Sequence, residues 1–273
     1  MIRNKISIWV CEPQAYTAMN LVHIDRRRLR PLMGTFCAIE ATGPAEAIDE
    51  AVAQAFDVMT VVDQQMHPTR TGSDLEQMMA NPGRTIAIAA MTWEVIALAQ
   101  LICRLSGGVF DPCLPRSSGS VLDVELKPGL RVLCREPMAL DLGGIAKGFA
   151  VDQAIEALER AGCVGGIVNA GGDLRAFGPI AYPVLVNASA SDPIHLTLRD
   201  AAIASTDVES ERRPSEHRGY YSRINGRRLT RTHAAILAPG AAIADALTKC
   251  ALYCNSAEMN ALMSRFSARM LDR

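Results

Sequence analysis

Asp141, Gly143, Gly144 and Lys147 fall within seven residues of one another, in the stretch Ala139-Leu-Asp-Leu-Gly-Gly-Ile-Ala-Lys-Gly-Phe-Ala-Val-Asp152. A glycine-rich turn that runs into a helix leaves unpaired backbone N–H groups at the positive end of the helix dipole, a seat for an anion. Lys147 would lie in the first helical turn, where a cation opposes the dipole. A phosphate in front of it explains that choice; a solvated lysine after a tight turn is the alternative. Asp245 stands in the otherwise apolar Ala242-Ile-Ala-Asp-Ala-Leu247, where it is a charge at a helix start.

These groups need elements to hold them. Val151, Ala154, Ile155 and Leu158 recur at helical spacing after Gly148, and Gly162 closes that helix. Residues 165–178 read as strand, glycine turn and strand, with Asn169 and Asp173 fixing the hairpin. Upstream, Met33 to Glu40 is strand-like, and Gly43-Pro44 opens a helix with the apolar stripe Ile48, Val52, Phe56, Met59, Val62 and Met66. Residues 66–73 form a loop, and Thr92 caps a second helix that ends at Gly107-Gly108. Phe110-Asp111-Pro112 is a turn. Pro112, Pro115 and Pro128 keep the next segment irregular. Short strands follow over 182–204, then a strand over 234–238 and a helix over 241–253. The basic run Arg26 to Arg30 is a solvated lead-in. No repeat or low-complexity linker divides the chain, so the reading is one α+β domain over residues 29–273 behind a loosely ordered leader, 1–28.

The chain has 273 residues, 49% hydrophobic and 21% charged, with a formal net charge of −1. That balance describes a globular domain and offers no electrostatic argument for nucleic acid. No apolar run is long enough to span a bilayer. The apolar run near the N-terminus is shorter than the roughly 7–15 residues of a signal sequence. Eight scattered cysteines without an export signal are expected to be reduced, which points to the cytoplasm.

Five blocks in order, Arg30-Pro-Leu-Met-Gly-Thr35, Gly107-Gly-Val-Phe-Asp-Pro112, Asp141 to Gly148, Asn169-Ala-Gly-Gly-Asp173 and Ala244-Asp-Ala-Leu-Thr248, resemble the FAD:protein FMN transferase (ApbE) family. The resemblance implies T-fold-like antiparallel sheets flanked by helices, with an FAD cleft between two sub-domains. It implies Mg²⁺-dependent transfer of FMN from FAD to a Thr or Ser hydroxyl of an acceptor flavoprotein, with release of AMP. A relative that binds or hydrolyses FAD but has lost flavinylation is the alternative. On the matching positions, Met33, Val109, Phe110, Asp111 and Asp141 would contact FAD and Lys147 its phosphates. Gly144, through its carbonyl, and Asp245 would hold the metal, and Lys147 and Asp245 would carry the catalysis.

Three departures accompany the match. The family's aromatic in the loop after the first long helix falls near Thr69. The histidine of its His-Ile-Ile-Asp-Pro-x-Thr-Gly element, after a strand pair that Tyr221 to Leu229 resembles, falls near Arg231, with His233 and His217 as shifted candidates. Its threonine metal ligand, four residues after the aspartate, is Lys249 here. Either Thr248 reaches the same helix face, or the Lys249 ammonium takes the metal's position and alters Mg²⁺ dependence.

Overall fold

The computed structural model describes residues 22–115, 118–186, 194–208 and 227–271. Its centre is a seven-stranded antiparallel sheet in the order β1-β2-β6-β7-β10-β11-β12. The strands are β1 (His23–Leu32), β2 (Thr35–Pro44), β6 (Gly165–Ala170), β7 (Asp173–Phe177), β10 (Ala201–Asp207), β11 (His233–Ala238) and β12 (Arg269–Met270). Three helices lie on this sheet: α1 (Ile48–Met66) over β1 and β2, α4 (Ala146–Arg160) over β6 and β7, and α5 (Ala241–Tyr253) over β10 and β11. The α1 stripe explains the packing, for Ile48, Val52, Phe56, Met59, Val62 and Met66 are all buried in the main core. Burying such side chains contributes about 1.5–3 kcal/mol each.

The opposite face carries a second, smaller cluster. The hairpin β8 (Tyr182–Val186) and β9 (Ile194–Leu198) sets Tyr182, Val184, Val186 and Leu198 against Ala176, Ile203 and Ala235. Beyond α1 stand α2 (Asp74–Ala80), α3 (Ala90–Leu105) and a small sheet of β3 (Thr85–Ala87), β5 (Arg131–Cys134) and β4 (Val124–Lys127). The last helix is α6 (Ser256–Arg265). The architecture is α+β with antiparallel sheets and six helices among the described residues.

Several sequence expectations change. Residues 23–28, expected in a loose leader, belong to β1, while residues 1–21 lie outside the described residues. The basic run is therefore an edge strand. Its cations find partners across the sheet and on α1: Arg26 and Arg28 on Asp49, and Arg30 over the Phe56 ring at 4.5 Å. Met33 is not a strand residue; with φ 55° it forms the β1–β2 turn together with Gly34. Thr92 does not cap α3. Asp74 does, accepting the Ala89 N–H at 3.0 Å and the Thr92 hydroxyl at 2.5 Å. The segment expected to be irregular contains β4 and β5, because Pro128 falls in the turn between them. Tyr221 to Gly226 and His217 lie outside the described residues.

Candidate active site

The N-terminal ends of α4 and α5 meet, and one glycine permits it. A Cβ on Gly148 would run into the Ala241 carbonyl, so a larger residue would force the helices apart. One turn further along α4, Asp152 accepts the Ala241 and Ala242 N–H groups, both at 2.9 Å, and so caps α5. It also accepts from Arg175 of β7 at 2.9 Å. Thus docked, α5 presents Asp245, fully buried, to the base of α4.

Four charges gather there. The Lys147 ammonium donates to the Gly143 carbonyl at 3.1 Å, pairs with Asp173 Oδ2 at 3.2 Å and stands 3.7 Å from Asp245 Oδ2. Lys249, one turn beyond Asp245 on α5, donates to Asp245 Oδ1. Asp173, at the start of β7, is 3% exposed. Burial pushes its carboxyl above the usual range, the nearby Asp245 charge adds to that, and the two ammonium groups oppose it. Burial works upward on Asp245 too. There the Lys147 and Lys249 charges, the Lys249 hydrogen bond and the Gly148 N–H outweigh it and hold the carboxyl below the usual range.

Of this cluster Lys147 lines a cleft of about 1230 Å³. Its walls come from the Met33-Gly34-Thr35 turn, the C-terminal end of α1, Asp141 to Lys147, the β6–β7 turn, β8 and β10. Met33, Asp141 and Lys147, picked from the sequence, all line it. Asp141 holds the turn, accepting the Gly143 N–H at 2.8 Å. Asn169 fixes the β6–β7 hairpin through the Gly172 N–H, as expected. Gly171, in that turn at φ 64°, lies against Thr35, which leaves no room for a Cβ.

The other sequence candidates are placed differently. Val109 and Phe110 are buried in the core outside the cleft lining. Asp111 spends its carboxylate on the chain, accepting from Cys113 N, Val121 N and the Ser120 hydroxyl. The loop after α1 brings His67 and Pro68 to the cleft, while Thr69 hydrogen-bonds His67. Arg231 stands against the Met270 sulfur, and His233 opens β11 opposite Asp207. Sequence reading assigned Asp173 to a hairpin; the structure makes it part of the charge cluster, 3.2 Å from Lys147. Nothing local signals this, since the contact forms between helix α4 and strand β7.

The donor set does not fit the Mg²⁺ ion that the family resemblance implied. Such an ion needs about six oxygen ligands in octahedral array. Both Asp245 oxygens face ammonium groups, and the Thr248 hydroxyl donates to the Asp245 carbonyl at 2.7 Å. Lys249 runs past Gly144, where a Cβ would stand 3.5 Å from Lys249 Cε and 3.7 Å from Phe110 Cε2. Among the described residues no group of three His, Cys, Asp or Glu side chains could hold a metal.

The comparisons with known proteins agree with this architecture. A curated FAD:protein FMN transferase of Treponema pallidum (strain Nichols) is 24% identical over 185 residues, which is 55% of this chain and 51% of that one. The chain thus spans about half the length of that relative. The apo form of the Pseudomonas stutzeri flavinyl transferase ApbE superposes with a TM-score of 0.74 at 19% identity, covering 93% of each chain. The flavin transferase ApbE from Vibrio cholerae gives 0.72 at 17%, covering 92% of this chain and 93% of that one. At such identities the structures show a shared fold. The model of the ApbE family matches residues 33–121 and 115–270, nearly all of the described chain, and the protein is a member of the ApbE family.

Proposed function

We propose that the cleft binds FAD and that the protein transfers its FMN half to a Thr or Ser hydroxyl of an acceptor flavoprotein, releasing AMP. The observation that carries this reading is the Lys147 ammonium, fixed at the N-terminal turn of α4 where that turn lines the cleft. Lysine and helix N–H groups together suit a pyrophosphate, while Met33, Val184 and Ile203 give the cleft apolar surface for rings. The names of the relatives and the family support the same substrate.

In the proposed reaction the acceptor oxygen bonds to the FMN phosphorus as the bond from that phosphorus to the bridging oxygen breaks. The bridging oxygen leaves with AMP, and the hydroxyl proton is released to solvent. Lys147 holds the pyrophosphate and offsets the charge that builds on the departing phosphate. Asp245 and Asp173 keep that ammonium in place, and Asp141 shapes the turn beneath it. Seven buried cysteines among the described residues form no disulfide, which suits the reducing, cytoplasmic setting proposed for it. No described helix is long and apolar enough to cross a membrane.

Incubating the protein with FAD, with and without a flavoprotein bearing a flavinylation motif, tests the reading by chromatography of the nucleotides and mass spectrometry of the acceptor. AMP appearing together with an acceptor heavier by FMN is the expected result. AMP and FMN without acceptor labelling would make it an FAD hydrolase, and intact FAD tightly held would make it a binder.

A further inference from the structure

We propose that Lys249 is a resident cation beside the cleft, occupying the place of a divalent ion on Asp245, so that Lys147 engages the FAD pyrophosphate without bound metal. The proposal rests on FAD being the ligand of the cleft. Lys249 follows Asp245 by four residues, which puts both on one face of α5. Its ammonium lies on Asp245 Oδ1 while Lys147 approaches Oδ2. Its methylenes pass Gly144, so the charge stands between the carboxylate and the turn that would otherwise share an ion. Asp245 is wholly buried and the Lys249 side chain is 13% exposed, so solvent screens this arrangement weakly.

A protonated lysine has no lone pair to offer a metal. An entering divalent ion would therefore have to displace one ammonium from Asp245 against the repulsion of the other. On this reading Asp245 is a positioning residue for two lysines rather than a metal ligand.

The test uses the full chain freed of metal with EDTA, and Mn²⁺ as probe. Paramagnetic resonance reads free Mn²⁺ with and without FAD, corrected for FAD alone. The wild type is expected to leave free Mn²⁺ undiminished, and Lys249→Thr to take it up at least about tenfold more tightly, a gain of about 1.4 kcal/mol. Lys249→Ala provides the same readout if the threonine variant fails to fold. AMP release by the wild type is expected to survive EDTA, whereas release by Lys249→Thr should require added Mg²⁺. Mn²⁺ bound equally by both proteins, or by neither, would overturn the proposal, as would wild-type turnover lost in EDTA and restored by Mg²⁺. If neither protein cleaves FAD the transferase reading fails, while the Mn²⁺ titration still decides the place of Lys249.

Discussion

At the scale of single residues, the cluster of Lys147, Lys249, Asp173 and Asp245 concentrates the protein's chemistry and its cost. Two carboxylates are buried beside Lys147, which is unfavourable unless each has a cation. Lys147 serves both, at 3.2 Å from Asp173 and 3.7 Å from Asp245. Replacing it by methionine removes the proposed phosphate contact and leaves Asp173 without its close ion pair. Lys147→Met should weaken FAD binding at least about tenfold, since a hydrogen bond to a charged group contributes roughly 1.5–3 kcal/mol; titration of flavin fluorescence measures this. Affinity unchanged within twofold would remove Lys147 from the phosphate site. Gly148 makes a different kind of demand, because its Cα faces the Ala241 backbone. Gly148→Ala should lower stability by about 1–3 kcal/mol, the usual cost of overpacking, read as a reduced urea midpoint. Asp245 and Lys147 would separate with the helices, so FAD affinity should fall alongside.

At the scale of elements, the site depends on how helices are capped and joined. Asp152 on α4 takes the two first N–H groups of α5, and no side chain of the preceding loop does so. Asp152→Ala should cost about 0.5–2 kcal/mol as a lost cap, measured by urea unfolding, with the Arg175 ion pair lost in the same step. A second joint lies at α6. Arg227 grips Glu258 with two nitrogens at 2.8 and 2.7 Å, while Glu258 also completes a capping box with Asn255. The Arg227 hydrogen bonds hold the Glu258 carboxyl at about 2, against an ordinary 4.5. Folding therefore favours the carboxylate. The stability it adds is fully present above pH 4.5 and is lost as pH falls toward about 2. Urea midpoints of wild type and Glu258→Gln should differ near neutrality and converge across that window. Because the pair is near the surface, the difference should also shrink in high salt. Parallel curves at every pH would show that the contact contributes nothing.

At the scale of the whole molecule, the cleft gathers segments from residue 33 to residue 207, so a ligand bridges nearly the entire fold. FAD at a hundred times its dissociation constant should stabilise the protein by about 2.7 kcal/mol. That corresponds to a melting temperature higher by about 5–10 °C, which a thermal melt with and without FAD would register; no shift would mean that the folded protein does not bind FAD. Much of this assembly was legible in the chain alone. The α1 stripe, the glycine turn before α4, the Gly171-Gly172 hairpin and the five family blocks are local patterns, fixed by helical and strand periodicity and by residues that only tight turns favour. Other features were not legible because their partners are remote. Pro128 sits in a turn only when β4 and β5 pair, and the Thr92 hydroxyl joins a cap that Asp74 supplies. The sequence by itself determined the family, helices α1, α3, α4 and α5 and the lysine after the glycine turn. Only the tertiary structure decided that Asp173 and Asp245 are buried on either side of that lysine, and that Lys249 bears on the same carboxylate. Burial and charge balance arise between elements far apart in the chain, once α4 and α5 meet at Gly148.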